Sequence, residues 1–214
     1  MARFGVLALQ GDFAAHLAAL RDLGIEAVEV RRCQQIEGLS GLVLPGGEST
    51  TLLNLMSDEP WFETLRGFHR EGGALFGTCA GALLLAREVR GPSQPSLGLL
   101  DAVIERNAYG RQVNSFEVTL EAPVLGDGLR AVFIRAPRFV ALGPAVEVLA
   151  RHGDEPVLVR QGRLLAATFH PEIAADSRLH RLFADLASAL RWRVAEKATA
   201  PAEVAGRSAR CRRA

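Results

Sequence analysis

The stretch that most constrains this chain is Ala74-Leu75-Phe76-Gly77-Thr78-Cys79-Ala80-Gly81-Ala82-Leu83-Leu84-Leu85. An apolar strand enters a helix through a tight turn, with glycines flanking a cysteine at i−2 and i+2. That is the spacing of a nucleophile elbow, with Cys in place of Ser. Gly77 and Gly81 remove the side chains that would collide where strand and helix cross, which leaves the sulfur exposed at the top of a sheet. The N–H groups and dipole of the first helical turn favour the thiolate, the reactive form. Alone, the pattern also fits a buried, inert cysteine beside a structural turn, so the rest of the chain has to decide.

An elbow needs a parallel sheet behind it, and the flanking pattern supplies one. Residues 4–9 form a short, continuously apolar run, as in strands buried on both faces. Asp12 offers an N-cap, Phe13, Leu17 and Leu20 recur at helical spacing, and Gly24 stops the helix before a second strand at 25–30. A further strand at 42–44 ends in Pro45-Gly46-Gly47, helical patterns cover 50–56 and 61–70, and the strand of the elbow starts at 74. Beyond residue 86 the texture changes to strand-like runs at 103–106, 116–120, 131–134, 146–151, 157–161 and 164–168. Leu179, Leu182, Phe183 and Leu186 then mark a last amphipathic helix. The order predicts an α/β fold: a mixed, mainly parallel central sheet flanked by helices, with an antiparallel strand extension.

Composition narrows the function classes. The formal charge of +1 over 214 residues divides into +4 for residues 193–214 and −3 for residues 1–192. Neither value gives a field that would gather nucleic acid or an anionic membrane. The basic tail has little bulky apolar content and is expected to be disordered, which leaves residues 1–192 as one domain. The three cysteines, Cys33, Cys79 and Cys211, match neither a zinc site nor a disulfide framework. The apolar run at 6–9 is too short for a secretion signal and no run is long enough for a membrane span, so a cytoplasmic protein is expected.

Two further pieces carry chemistry. His170-Pro171-Glu172 follows the strand at 164–168, and in extended backbone residues i and i+2 point the same way. Glu172 is thus placed to hold one ring nitrogen of His170 while the other faces a thiol, an oriented base of the kind nucleophilic catalysis uses. The remaining histidines, His16, His69, His152 and His180, lack that context and read as solvated or structural. Pro45-Gly46-Gly47-Glu48-Ser49-Thr50 also follows a buried strand. Its glycines let backbone N–H groups approach a ligand, and Ser49 or Thr50 is a candidate cap for the next helix. The N–H groups of Gly47 and Ala80 would together form an oxyanion hole.

The segments GVLALQGDF, LVLPGGEST, GTCAG, ERNAYGRQVNSFE, FIRAP and FHPE, in this order across residues 3–190, resemble the PdxT family, the glutaminase subunits of pyridoxal 5′-phosphate synthase within the class I glutamine amidotransferases. GxCxG and HPE are shared across the class, whereas PGGEST, RNAYGRQ and FIRAP are specific to the subfamily. The resemblance implies a flavodoxin-like fold and hydrolysis of glutamine to glutamate and ammonia. It also implies transfer of the ammonia to a synthase subunit of the PdxS family, in a ring-like multimer that makes pyridoxal phosphate for vitamin B6 synthesis. Carried over by residue, Cys79 is the nucleophile, His170 the base and then acid, and Glu172 the orienting carboxylate. Gly47, Glu48, Ser49, Arg106, Ile134 and Arg135 fall at the glutamine site, where Arg106 or Arg135 suits the substrate carboxylate. No metal or organic cofactor is implied. The alternatives are a glutaminase serving another synthase, such as that of histidine biosynthesis, or a non-enzymatic stress or redox protein with an elbow cysteine. The subfamily segments speak against the first, and the oriented histidine against the second.

Overall fold

The computed structural model describes residues 2–106, 115–174 and 176–199. Residues 107–114, the centre of the ERNAYGRQVNSFE segment, lie outside it, as does the tail from residue 200 with Cys211. Five parallel strands form the heart of the sheet: β1 (Phe4–Leu7), β2 (Ala27–Val30), β3 (Gly41–Leu44), β4 (Ala74–Thr78) and β12 (Leu164–Ala167), in the order β2-β1-β3-β4-β12. This is the flavodoxin-like winding. Antiparallel strands β11 (Glu155–Gln161), β10 (Glu147–His152), β7 (Phe116–Ala122) and β8 (Gly126–Phe133) extend it to nine. A separate three-stranded sheet holds β5 (Ala86–Arg90), β6 (Leu100–Glu105) and β9 (Arg138–Leu142). The mixed sheet with its antiparallel extension agrees with the sequence-based expectation; β5 and β9 were not foreseen.

Alternation along the strands builds two cores. Phe4, Val6, Val43, Phe76, Leu165 and Ala167 face one layer, completed by α1 (Phe13–Asp22) and α5 (Arg178–Thr199). Leu7, Leu42, Leu44, Leu75, Leu164 and Ala166 face the other, completed by α2 (Ser49–Leu55), α3 (Trp61–Arg70) and α4 (Ala80–Leu85). The fully buried runs of β1, β3, β4 and β12 therefore have a helix layer on each side. The Asp12 carboxylate caps α1 by accepting from the Ala15 N–H, and Gly24 closes the turn after it at φ +72°. The backbone of α5 continues past residue 192, so the first residues of the basic tail, 193–199, are helical. No helix among the described residues is long and apolar enough to cross a membrane.

Candidate active site

In a doubly wound sheet, ligands sit beyond the carboxyl ends of the strands, where the order of winding reverses. The three chemical segments emerge there side by side. Thr78 ends β4 and Cys79 follows, Pro45-Gly46-Gly47 follows β3, and His170-Pro171-Glu172 comes three residues after β12. A cleft of about 150 Å³ opens between them, lined by Gly47, Glu48, Ser49, Cys79, Ala80, Leu83, Arg106, Ile134, Arg135, Pro137 and His170. Every residue that the sequence placed at the site is on that wall except Glu172, which is buried behind His170.

Cys79 caps α4 with φ 47° and ψ −104°. Among the described residues, the two non-glycine residues with positive φ are Cys79 and Arg135 at φ 43°, and both line the cleft. Backbone held this way costs about 1–3 kcal/mol per residue and persists only where packing overdetermines it. At the elbow the packing is visible: a Cβ on Gly81 would lie 1.9 Å from the Leu44 carbonyl oxygen, and one on Gly77 would lie 2.5 Å from the Gly81 backbone. The sulfur is less open than the elbow pattern suggested. Cys79 is only 8% exposed, because the wall of the cleft closes around it.

His170 Nδ1 lies 2.7 Å from Glu172 Oε1, the pairing read from the sequence. The His170 backbone N–H donates to the Val132 carbonyl at 2.8 Å, which ties the end of β8 to the histidine and brings Ile134 and Arg135 onto the cleft. Burial, the largest influence, pulls the His170 pKa down. Hydrogen bonding to the Cys79 sulfur and to Glu172, with the charges of both, outweighs it and raises the pKa to about 10. The arrangement favours the imidazolium form of His170.

The glycine turn is more occupied than its sequence implied. Gly47 has φ +142°, and a Cβ there would lie 2.2 Å from Gln10 Oε1. That oxygen accepts the Glu48 N–H at 3.1 Å, so Gln10 is docked against the turn. The cap of α2 is Glu48 rather than Ser49 or Thr50: its carboxylate accepts the N–H groups of Thr50 (3.1 Å) and Thr51 (2.6 Å). Those backbone donors, led by Thr51, hold the Glu48 pKa at about 2. Ser49 begins the helix instead, with its hydroxyl donating to Gln94 Oε1 at 2.8 Å. The Arg106 guanidinium lies 3.5 Å from both Glu48 Oε1 and Thr50 Oγ1, which holds it at the cleft edge.

Sequence reasoning did not find the layer under the triad. Thr78 Oγ1 accepts the Gly46 N–H at 2.9 Å, and His16 and His180, both fully buried, stand behind Glu172. The sequence left them as solvated or structural; the structure makes them structural and buried, and nothing local distinguishes them from core histidines.

The fold is that of the class I glutamine amidotransferases, and the cleft lies at its expected position. Known proteins narrow this further. The chain is 60% identical over 185 residues, 86% of its length and 96% of the relative's, to a pyridoxal 5′-phosphate synthase subunit PdxT of Thermus thermophilus, and 53% identical over 188 residues to that of Deinococcus radiodurans, covering 86% and 96%. A solved structure described as a glutamine amidotransferase superposes with TM-score 0.81 at 57% identity, covering 86% of this chain and 98% of its own. The chain belongs to the SNO glutamine amidotransferase family, which matches residues 6–188.

Proposed function

We propose that this chain is the glutaminase subunit of a pyridoxal 5′-phosphate synthase, a cytoplasmic enzyme that hydrolyses L-glutamine and passes the ammonia to a PdxS-family synthase subunit. The observation that carries the chemistry is the His170 Nδ1 to Glu172 Oε1 contact at 2.7 Å, in a segment that sets His170 beside a strained elbow cysteine. The family membership and the identities of 53–60% support the choice of synthase.

In this reading the Cys79 proton resides on His170 before attack. The thiolate adds to the glutamine carboxamide carbon, and the electron pair displaced onto oxygen is met by the N–H groups of Gly47 and Ala80. Collapse of the tetrahedral adduct breaks the C–N bond, and His170 donates its proton so that nitrogen leaves as ammonia. His170 then takes a proton from water, whose oxygen attacks the thioester. The C–S bond breaks, glutamate departs, and the proton returns to the cysteine–histidine pair. Arg106, steadied by Glu48, and Arg135 offer guanidinium groups to the substrate α-carboxylate. Ammonia released to bulk water would be protonated and lose its nucleophilicity, which is the chemical reason for docking onto a synthase.

The test is glutamate release by the chain mixed with its synthase partner, for wild type and Cys79→Ala. Wild type is expected to turn over and the variant to be inactive. No release by wild type, or equal release by both, overturns the reading.

A further inference from the structure

Behind Glu172 the structure holds a buried cluster that the mechanism above does not use. His16 on α1 and His180 at the start of α5 are both 0% exposed, and His16 Nδ1 lies 2.9 Å from His180 Nε2. The other ring nitrogen, His16 Nε2, lies 3.3 Å from Glu172 Oε2 and 3.3 Å from Thr78 Oγ1. The Glu172 side chain is itself fully buried, and Oε2 has no hydrogen bond of good geometry; the long approach of His16 Nε2 is what it faces.

The protons of this cluster can be assigned. Burial, then the charges of His180 and His170, hold the His16 pKa well below its ordinary value, so the ring is neutral and carries one N–H. If that hydrogen were on Nδ1, the lone pair of Nε2 would face an ionised carboxylate. His180 would then need its own hydrogen on Nδ1, which has no partner among the described residues, leaving a buried donor without an acceptor there. With the hydrogen on His16 Nε2 both conflicts vanish. His180 Nε2–H donates to His16 Nδ1, and His16 Nε2–H is shared between Glu172 and Thr78, which accounts for two equal, long contacts. His180 Nδ1 is then an acceptor, with no donor to it among the described residues. A neutral donor steadies the carboxylate without competing for its charge, which stays with His170.

We propose that His16, backed by His180, is a positioning residue for the catalytic pair, one imidazole that fixes both the second oxygen of Glu172 and the threonine on which the glycine turn is seated. Its reach extends to the turn because Thr78 Oγ1 accepts the Gly46 N–H at 2.9 Å. Gly46 in turn abuts the catalytic pair: a Cβ there would lie 2.4 Å from His170 Cε1 and 3.1 Å from Cys79 Cβ. The inference rests on the glutaminase reading for its role and on the cluster's geometry for its existence. The groups facing His16 are Thr78 and Phe76 from β4, His180 from α5, and His170 and Glu172 from the segment after β12, with Asp176 contributing charge at His180.

Gln and Asn at position 16 separate positioning from mere packing. The amide nitrogen of Gln overlies Nε2 of histidine and still reaches Glu172, whereas that of Asn overlies Nδ1 and points at His180. Two measurements on the full chain apply. With the synthase partner, His16→Asn is expected to lower kcat by about 10- to 100-fold, with KM for glutamine within about twofold of wild type. His16→Gln should stay within about threefold of wild type. On the chain alone, the pH profile of Cys79 alkylation by iodoacetamide, followed by mass spectrometry, should move for His16→Asn and stay in place for His16→Gln. Equal kcat and equal alkylation profiles for the two variants overturn the proposal, as does a loss that merely follows melting temperature. If wild type releases no glutamate while the alkylation profiles still separate the variants, the glutaminase reading fails and the positioning role stands.

Discussion

Replacing Gly81 with alanine tests the elbow at its tightest point. The added Cβ would lie 1.9 Å from the Leu44 carbonyl oxygen, 2.7 Å from its carbon and 3.0 Å from the Leu44 Cβ. Ordinary contact begins near 3.4 Å, so α4 and β3 must part by roughly 1.5 Å, and the obstacle is backbone in a fully buried strand rather than a yielding side chain. Overpacking of this kind costs about 3 kcal/mol, the upper end of the usual range. In a domain of this size that lowers Tm by roughly 6–12 °C. The same displacement carries Cys79 with it, and a shift of about 1 Å at a nucleophile costs on the order of 100-fold in kcat. Gly67→Ala is the matched control. It lies within α3, its new Cβ would meet only the end of the Arg70 side chain at 3.7 Å, and relief from helical glycine is worth up to about 1 kcal/mol. Thermal unfolding followed by circular dichroism should show the melting temperatures of the two variants moving in opposite directions, with glutaminase turnover falling for Gly81→Ala and unchanged for Gly67→Ala. A Gly81→Ala protein that melts and turns over like wild type would refute the steric account of the elbow.

Other expectations follow from named groups. The His180 pKa is lowered to about 4, chiefly by burial, so its neutral form adds stability above pH 6.5 that is lost as pH falls toward 4, on the order of 3 kcal/mol. Denaturant unfolding across that window should show the loss, with a shallower slope for His180→Gln. His170 has the opposite sign. Burial opposes its protonation, but the contacts with Cys79 and Glu172 prevail, so its contribution is complete below pH 6.5 and fades as pH rises through about 10. Cys79→Ser should flatten that alkaline decline and lower the imidazole titration midpoint seen by NMR. Glu48→Ala removes the cap of α2 and the partner of Arg106. It should cost about 1 kcal/mol in unfolding free energy and raise KM for glutamine more than it lowers kcat.

Much of this was legible in the sequence because the parallel strands are buried on both faces and so are written as unbroken apolar runs. The edges of α3 at Trp61 and Arg70 were readable to the residue. β5, by contrast, is written Ala86-Arg87-Glu88-Val89-Arg90, with charges at exposed positions, and it follows the elbow helix with no turn residue between them. β9 was missed for a similar reason, since only Phe139 of its five residues is buried. At the site, Cys79, His170 and Glu172 share short motifs whose spacing is local. His16 and His180 stand 164 positions apart and meet only because α1 and α5 cover the same face of the sheet. The cap of α2 was placed one or two residues too late because Ser49 and Thr50 are better capping types than Glu48, and the demand of Gln94 on the Ser49 hydroxyl is a tertiary fact.

The strand that precedes the base, β12, is inserted between β4 and β11, late in the chain and in the middle of the sheet. During synthesis the elbow and the glycine turn emerge long before it, and β4 waits with an open edge for its last parallel neighbour. A chain cut short before residue 164 would carry the thiol without the histidine, because the His170-Pro171-Glu172 segment follows β12. The order of the strands thus gives the protein a form of timing: the pair to which the proposal assigns ammonia release cannot be assembled until the sheet itself is complete.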